Sequence, residues 1–257
     1  MDSKKLTRAI VCTPCENMKH GLTTANLGVP DYQLALEQHQ KYVEALEQCG
    51  LEVTVLPPDP DFPDSVFVED TALLTPECAV ITHPGAPSRR GEVVRIENVL
   101  SQHFRKIEAI RSPGTVDAGD ILDTGTHCYI GLSNRTNKDG AMQLIRILEN
   151  YGMAGSAIPL THVLHLKSGV SYLGDNRLIV SGEFIDRSEF RHFRRLRIED
   201  EESYAANLIR VNDRIIMPRG YPESKQMIEG AGYCIIEVEL SEFRKMDGGV
   251  SCLSLRF

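Results

Sequence analysis

No apolar run in the sequence approaches the roughly 20 residues that cross a bilayer as a helix, so a helical membrane span is not expected. The first residues, Met1-Asp2-Ser3-Lys4-Lys5-Leu6-Thr7-Arg8, lead into a strand-like segment without the apolar core of a signal peptide. A cytoplasmic location is the expectation, with no membrane partner. The chain is also short of positive charge. Its 28 Lys and Arg stand against 36 Asp and Glu, for a net charge of -8, and no long basic cluster offers the surface that phosphate contacts need. Nucleic acid is therefore not an expected partner. The most basic stretch, Arg187 to Arg197, is interleaved with Glu189, Phe190 and Phe193 and reads as a solvated turn or helix face.

A disulfide framework is missing as well. The seven cysteines are irregularly spaced and odd in number, which leaves at least one free thiol. Cys49, Cys78, Cys128 and Cys234 lie in or beside apolar segments, where packing is the ordinary role of a cysteine. Cys12-Thr13-Pro14-Cys15 has the spacing of half a metal or redox site, but no second pair accompanies it. What the sequence does have is the balance of a globular protein, 42% hydrophobic and 25% charged over 257 residues, enough to bury a large core.

That core is organised by a repeat. Five short apolar runs end at turn residues: Ala9 to Pro14, Ala79 to Pro84, Tyr129 to Ser133, Leu178 to Gly182 and Ile215 to Gly220. Most are followed by a helix-like stretch, clearest in Tyr32 to Cys49, where Leu34, Ala35, His39, Tyr42, Val43 and Leu46 recur largely at three- and four-residue steps before Gly50. Ala141 to Asn150 repeats the pattern. A second strand returns in each unit: Leu51 to Leu56, Lys106 to Ile110, Ser156 to Leu160, Arg195 to Ile198 and Cys234 to Val238.

A third, more polar segment then follows: Ser65 to Asp70, Val116 to Asp120, His165 to Gly169, Ser203 to Asn207 and Gly248 to Cys252. If five such α/β units close around an axis, these segments converge on it and distant residues meet in one pocket.

The candidate chemistry lies there. Cys252 follows two glycines that let the backbone approach a ligand closely, and a thiolate is a strong nucleophile if a base or positive charge generates it. Packing in a final strand from Cys252 to Phe257 is the ordinary reading of the same residue. His165 has the side chain suited to proton transfer near neutral pH. His162-x-x-His165 has the look of a metal pair, but on a strand or loop that spacing does not bring both rings together and no carboxylate completes a zinc motif nearby, so a satisfied, non-catalytic histidine is expected at His162.

Asp117 would hold a cation or steady an imidazolium, or simply shape a turn. Glu69 and Asp70 follow an alternating apolar stretch and are expected to face opposite ways, with one in the pocket. Carboxylates converging with Asp117 would match a guanidinium, which is planar and carries only donors. Arg89 and Arg135 follow the first strands of successive units and are expected at comparable rim positions, where they would clamp a carboxylate.

The ordered set of segments closely resembles the dimethylarginine dimethylaminohydrolases, or dimethylargininases, of the pentein superfamily of guanidine-modifying enzymes. The resemblance runs over nearly the whole chain. It is carried by Phe62 to Asp70, Leu132 to Asn137, Leu164 to Gly169, Glu202 to Asn207 and Asp247 to Cys252. It implies a five-bladed α/β propeller, with residues 1–257 as one catalytic domain.

The resemblance also implies roles. Cys252 matches the nucleophile, His165 the general acid/base, and Asp117 an active-site acid that is Glu in some relatives. Glu69 and Asp70 match substrate-binding acids, with Asp70 facing the guanidinium. Asp64 and the backbone of Leu22 match contacts to a substrate amino group, Arg89 and Arg135 a carboxylate clamp, and Met246 a further binding position. Gly21 to Gly28 looks like a lid over the pocket.

The implied reaction converts asymmetric dimethylarginine or monomethylarginine to citrulline and an amine through a covalent cysteine adduct. No cofactor or metal is implied. The partner is a small-molecule substrate, and a homodimer is left open. Arginine deiminase or amidinotransferase chemistry is the nearest rival, and a non-catalytic propeller of the kind used by ribosome anti-association factors is the rival from another class.

Overall fold

The computed structural model describes residues 5–257. Met1 to Lys4, which the sequence leads one to read as the approach to a strand, lie outside the described residues.

Each of the five apolar runs becomes the middle strand of a three-stranded sheet. The first sheet centres on β1 (Arg8–Cys12), which pairs in parallel with β2 (Glu52–Leu56). Parallel neighbours need a long crossover, and here it contains helix α1 (Tyr32–Gln48), whose Asp31 side chain accepts from Leu34 N at 3.0 Å as an N-cap. The second sheet is β3 (Ala72–Leu74), β4 (Ala79–Ile81) and β5 (Ile107–Ala109), with α2 (Glu92–Leu100) in its crossover. The third is β6 (Ile121–Asp123), β7 (His127–Leu132) and β8 (Ala154–Pro159), with α3 (Lys138–Asn150).

In the fourth sheet, β9 (Val170–Gly174), β10 (Arg177–Ser181) and β11 (Arg194–Ile198), two 3-10 turns replace the crossover helix. Their Phe184 and Phe190, with Phe193, bury three rings in the space a helix would fill. The basic stretch expected to be a solvated turn or helix face is thus partly a packed turn and partly the strand β11. The fifth sheet is β12 (Ile209–Val211), β13 (Arg214–Pro218) and β14 (Cys234–Val238), with α4 (Pro222–Gly230). Cys234, expected to pack, starts β14 on the exposed side.

A short helix α5 (Ser241–Arg244) precedes the last segment, and β15 (Leu255–Arg256) then pairs with β1. The ring is closed by chain ends: Arg8 N donates to Phe257 O at 2.8 Å and Phe257 N to Arg8 O at 3.0 Å. Five sheets of like topology closed in this way form the five-bladed α/β propeller.

In every blade the strand that leaves the axis is preceded by a 3-10 turn: Val68–Thr71, Ala118–Asp120, Leu166–Ser168, Asp200–Ala206 and Ser251–Leu253. These turns coincide with the polar segments, and the Val68–Thr71 turn meets both the Ala118–Asp120 and the Ser251–Leu253 turns, as the Leu166–Ser168 turn meets the Ala118–Asp120 and Asp200–Ala206 turns.

Candidate active site

The turn geometry decides which way Glu69 and Asp70 point. They lie in a 3-10 turn and not on a strand, so the expected alternation gives way to two buried carboxylates directed to different neighbours. Asp70 lines a cavity of about 160 Å3 together with Cys252, His165, Asp64, Arg89, Arg135, Met246 and Leu22. Glu69 lies off the cavity. Its Oε1 accepts from Lys167 Nζ at 2.7 Å and its Oε2 from Ser251 Oγ at 2.6 Å.

Close packing at the axis depends on glycine. A Cβ on Gly119 would lie 2.8 Å from Asp70 Oδ1 and 3.1 Å from the His165 ring, and one on Gly249 would lie 2.5 Å from the Asn207 amide. With no side chain in the way, Gly119 N donates to Asp70 Oδ1 at 2.9 Å. One polar atom each of Asp70, Asp117 and His165 lie within 4.8 Å of one another, a donor set suited to a cation.

Asp117 is fully buried behind the cavity wall. Its Oδ1 accepts from Gly85 N at 2.8 Å, while Oδ2 has no hydrogen-bond partner and its neighbour is Arg135 at 3.9 Å. Burial, with the charge of Asp70 added, pushes its carboxyl up to about 6 against the pull of His165 and Arg89. Asp70 moves the other way: burial opposes its charge, but Arg89 and His165 outweigh that and hold it below the usual carboxylate range. The two acids are therefore unequal, the carboxyl of Asp70 lowered and that of Asp117 raised.

Burial also opposes a charge on His165, but Asp120, Asp70 and Asp117 overcome it and raise the imidazole to about 9. Burial first, then Glu69 and Asp70, push the Cys252 thiol up to about 12; Gly249 N, 3.4 Å from Sγ, and Lys167 offset only part of this. The resting pair is thus a thiol beside an imidazolium.

Arg89 departs from the expected rim position. It is buried, donates through Nε and NH2 to Glu92, through NH2 to Phe67 O at 2.9 Å, and through NH1 to Asp70. Of its five N–H groups, one on NH1 is left for a ligand. Arg135, with a side chain 20% exposed, is the freer of the two. Asp64 accepts from Leu22 N through both oxygens, at 2.9 and 3.2 Å, so the acid and the lid backbone expected to meet an amino group meet each other here. The Gly21 to Gly28 segment is further tied by Asp247, which accepts from Thr24 N and, at 3.0 Å, from Thr24 Oγ1. Asp247 itself sits at φ 59°, a strained value for a residue with a side chain.

Three residues carry more of the site than their types alone suggest. Asn207 Oδ1 accepts from Ser251 N at 2.9 Å while its Nδ2 donates to Lys167 O at 3.0 Å, so this residue at the end of the fourth turn ties the third turn to the fifth, which carries Cys252. Lys167 neutralises Glu69. Asp120 lies beneath His165. All three sit inside the polar segments that the repeat singles out, and their position in those segments was the available signal.

A family model of the N,N dimethylarginine dimethylhydrolases, eukaryotic, matches residues 30–253. The chain belongs to the dimethylarginine dimethylaminohydrolase family. It is 54% identical to the N(G),N(G)-dimethylarginine dimethylaminohydrolase of Pseudomonas aeruginosa over 96% of this chain and 98% of that protein. It is 37% identical to the Streptomyces coelicolor protein of the same name, over 100% and 98%. A solved Pseudomonas aeruginosa dimethylarginine dimethylaminohydrolase, a cysteine-to-serine variant complexed with citrulline, superimposes with a TM-score of 0.97 at 53% identity, covering 98% of this chain and 100% of that one. The N-terminal domain of the cyanobacterial arginine dihydrolase ArgZ shares the fold at 22% identity, with a TM-score of 0.88 over 98% and 97%. Membership in the dimethylarginine dimethylaminohydrolase family thus spans the propeller. Among the described residues no helix is long and apolar enough to cross a membrane.

Proposed function

We propose that this chain hydrolyses Nω-methylated arginines, asymmetric dimethylarginine and monomethylarginine, to citrulline and dimethylamine or methylamine. The observation that carries the reading is the meeting of Cys252, His165 and Asp70 in one cavity of about 160 Å3, with Arg135 and Asp64 on its wall for the amino-acid end. The whole chain serves as one catalytic domain, in the cytoplasm, in keeping with its seven free cysteines.

Asp70 and Asp117 hold the guanidinium cation, and its charge beside Sγ offsets the acids that keep Cys252 protonated. The thiol proton leaves to solvent and the thiolate adds to the guanidinium carbon, forming the C–S bond. His165, already an imidazolium, gives its proton to the departing amine as the C–N bond breaks. The thiouronium that remains is attacked by water, whose proton returns to His165. The C–S bond breaks and restores the thiolate, the second water proton leaves to solvent, and citrulline forms with the water oxygen. The lid, held by Asp64 and Asp247, excludes other water while the adduct exists.

A panel of asymmetric dimethylarginine, monomethylarginine, arginine and agmatine, read by citrulline, methylamine and ammonia release, tests this reading. Methylarginines turned over fastest are the expected result. Ammonia from arginine as the fastest product would instead make the chain a deiminase, and no turnover of any guanidine would return it to the binding class. Sizing chromatography of the same preparation separates monomer from homodimer.

A further inference from the structure

The carboxylate nearest to His165 Nδ1 is Asp120, with Oδ1 at 3.3 Å. Asp120 is fully buried and firmly held. Its Oδ2 accepts from Ser133 Oγ and Thr136 Oγ1, both at 2.7 Å, and its Oδ1 accepts from Leu166 N at 3.0 Å, the residue after the histidine. Three donors from two different segments thus fix the carboxylate and, through Leu166, the turn that carries His165. Asp117 is held by one donor, Gly85 N, and its other oxygen is unpartnered.

We propose that Asp120 is the carboxylate that orients His165, keeping a proton on Nδ1 and leaving Nε2 for the reacting atoms, while Asp117 serves the substrate cation. The 3.3 Å contact is not aligned as a hydrogen bond in the resting site, where the ring is held by charge; such contacts tighten when the catalytic complex forms. Asp120 is a positioning residue, since it touches the imidazole and not the substrate. A carboxylate in this place fixes both the tautomer and the basicity of a histidine.

Four groups face the imidazole or stand beside it. Asp70 comes from the Val68–Thr71 turn, Asp117 precedes the Ala118–Asp120 turn and Asp120 ends it, and Cys252 comes from the last turn. Arg89 neutralises Asp70, and Arg135 stands near Asp117. Among the described residues no Lys or Arg is paired with Asp120, and His165 is its charged neighbour.

The proposal rests on His165 being the acid and base of the reaction, and its test reads the imidazole without substrate. In the full-length protein with 15N-labelled histidine, the neutral His165 ring above its titration is expected to carry its proton on Nδ1. Asp120→Asn keeps the shape and lets the amide face the Ser133 and Thr136 hydroxyls. It is expected to lower the His165 midpoint clearly and to cut kcat by about 10–100-fold with little change in KM. Asp117→Asn is expected to act mainly on KM.

A neutral ring protonated on Nε2 in the parent protein would overturn the assignment. So would an unmoved midpoint in Asp120→Asn beside a shifted one in Asp117→Asn. If Asp120→Asn does not fold, the tautomer in the parent protein decides alone. A correct tautomer without turnover of any methylarginine would refute the substrate reading and leave the Asp120 assignment standing.

Discussion

Ser251 donates a 2.6 Å hydrogen bond to Glu69, so the residue before Cys252 is bonded to the residue before Asp70, 182 positions away in the chain. The bond makes the spacing of Cys252 and Asp70 a property of two adjoining turns. Glu69 is also the buried partner of Lys167, with Arg256 at 3.5 Å.

Removing that carboxylate strands a mostly buried ammonium. Glu69→Ala is expected to cost about 3 kcal/mol of stability, read by urea denaturation, and to lower kcat as well. Ser251→Ala removes one donor and is expected to cost about 1 kcal/mol. Equal and negligible costs for both would mean that the two turns are not held by this bond.

The two arginines are expected to separate by readout. Arg135 has few bonds of its own, so Arg135→Ala is expected to raise KM for methylarginine by about tenfold or more with the fold intact, the loss of a charge-assisted contact to a carboxylate. Arg89→Ala leaves Asp70 and Glu92 buried without their partner, and is expected to lower the unfolding midpoint in urea. An unchanged KM in Arg135→Ala would refute the clamp.

The thiol and imidazole titrate in an order that sets the pH dependence. With Cys252 pushed up to about 12, ultraviolet absorbance of free enzyme near neutral pH is expected to show no thiolate, and a bound guanidinium is expected to raise that signal. His165 must be charged to act as the acid, so kcat is expected to fall as pH rises toward its midpoint of about 9, earlier if the bound cation lowers that midpoint. A thiolate already present in the free enzyme at neutral pH would contradict this ordering.

His39, buried on α1, carries an acid liability. Burial lowers its imidazole from 6.5 to about 4, with a bond to the Cys12 backbone opposing, and Nε2 has no partner. Between those values the unfolded chain binds the proton and the folded chain does not, so stability is lost as pH falls through that window. Urea midpoints compared across it are expected to drop less for His39→Gln than for the parent.

Much of this architecture was legible in the sequence because buried strands and polar turns recur. The middle strands and their parallel partners fall where the apolar runs stand, and α1 follows its three- and four-residue spacing from Tyr32 almost to Cys49. The short strands β3, β6, β9 and β12 were not legible, since two or three apolar residues after a polar turn carry no period to read. Asp70 faces the cavity and Glu69 does not, as expected of one acid of the pair, but the 3-10 turn that parts them is not legible from an alternating stretch that suggests a strand. Arg89 was read as a rim residue because nothing in its neighbourhood shows that Glu92, one helical turn away, buries with it. Asp120 was visible as a residue but not as a neighbour of His165, 45 positions later, until the turns were brought together.

In the proposed reaction Cys252 forms a covalent bond to the guanidinium carbon. Mass spectrometry of the parent enzyme, acid-quenched during turnover of asymmetric dimethylarginine and digested, tests it most directly. A thiouronium adduct is expected on the peptide containing Cys252 and is expected to be absent in Cys252→Ser, which still binds the substrate. An adduct on another cysteine, or turnover by Cys252→Ser at the parent rate, would contradict it.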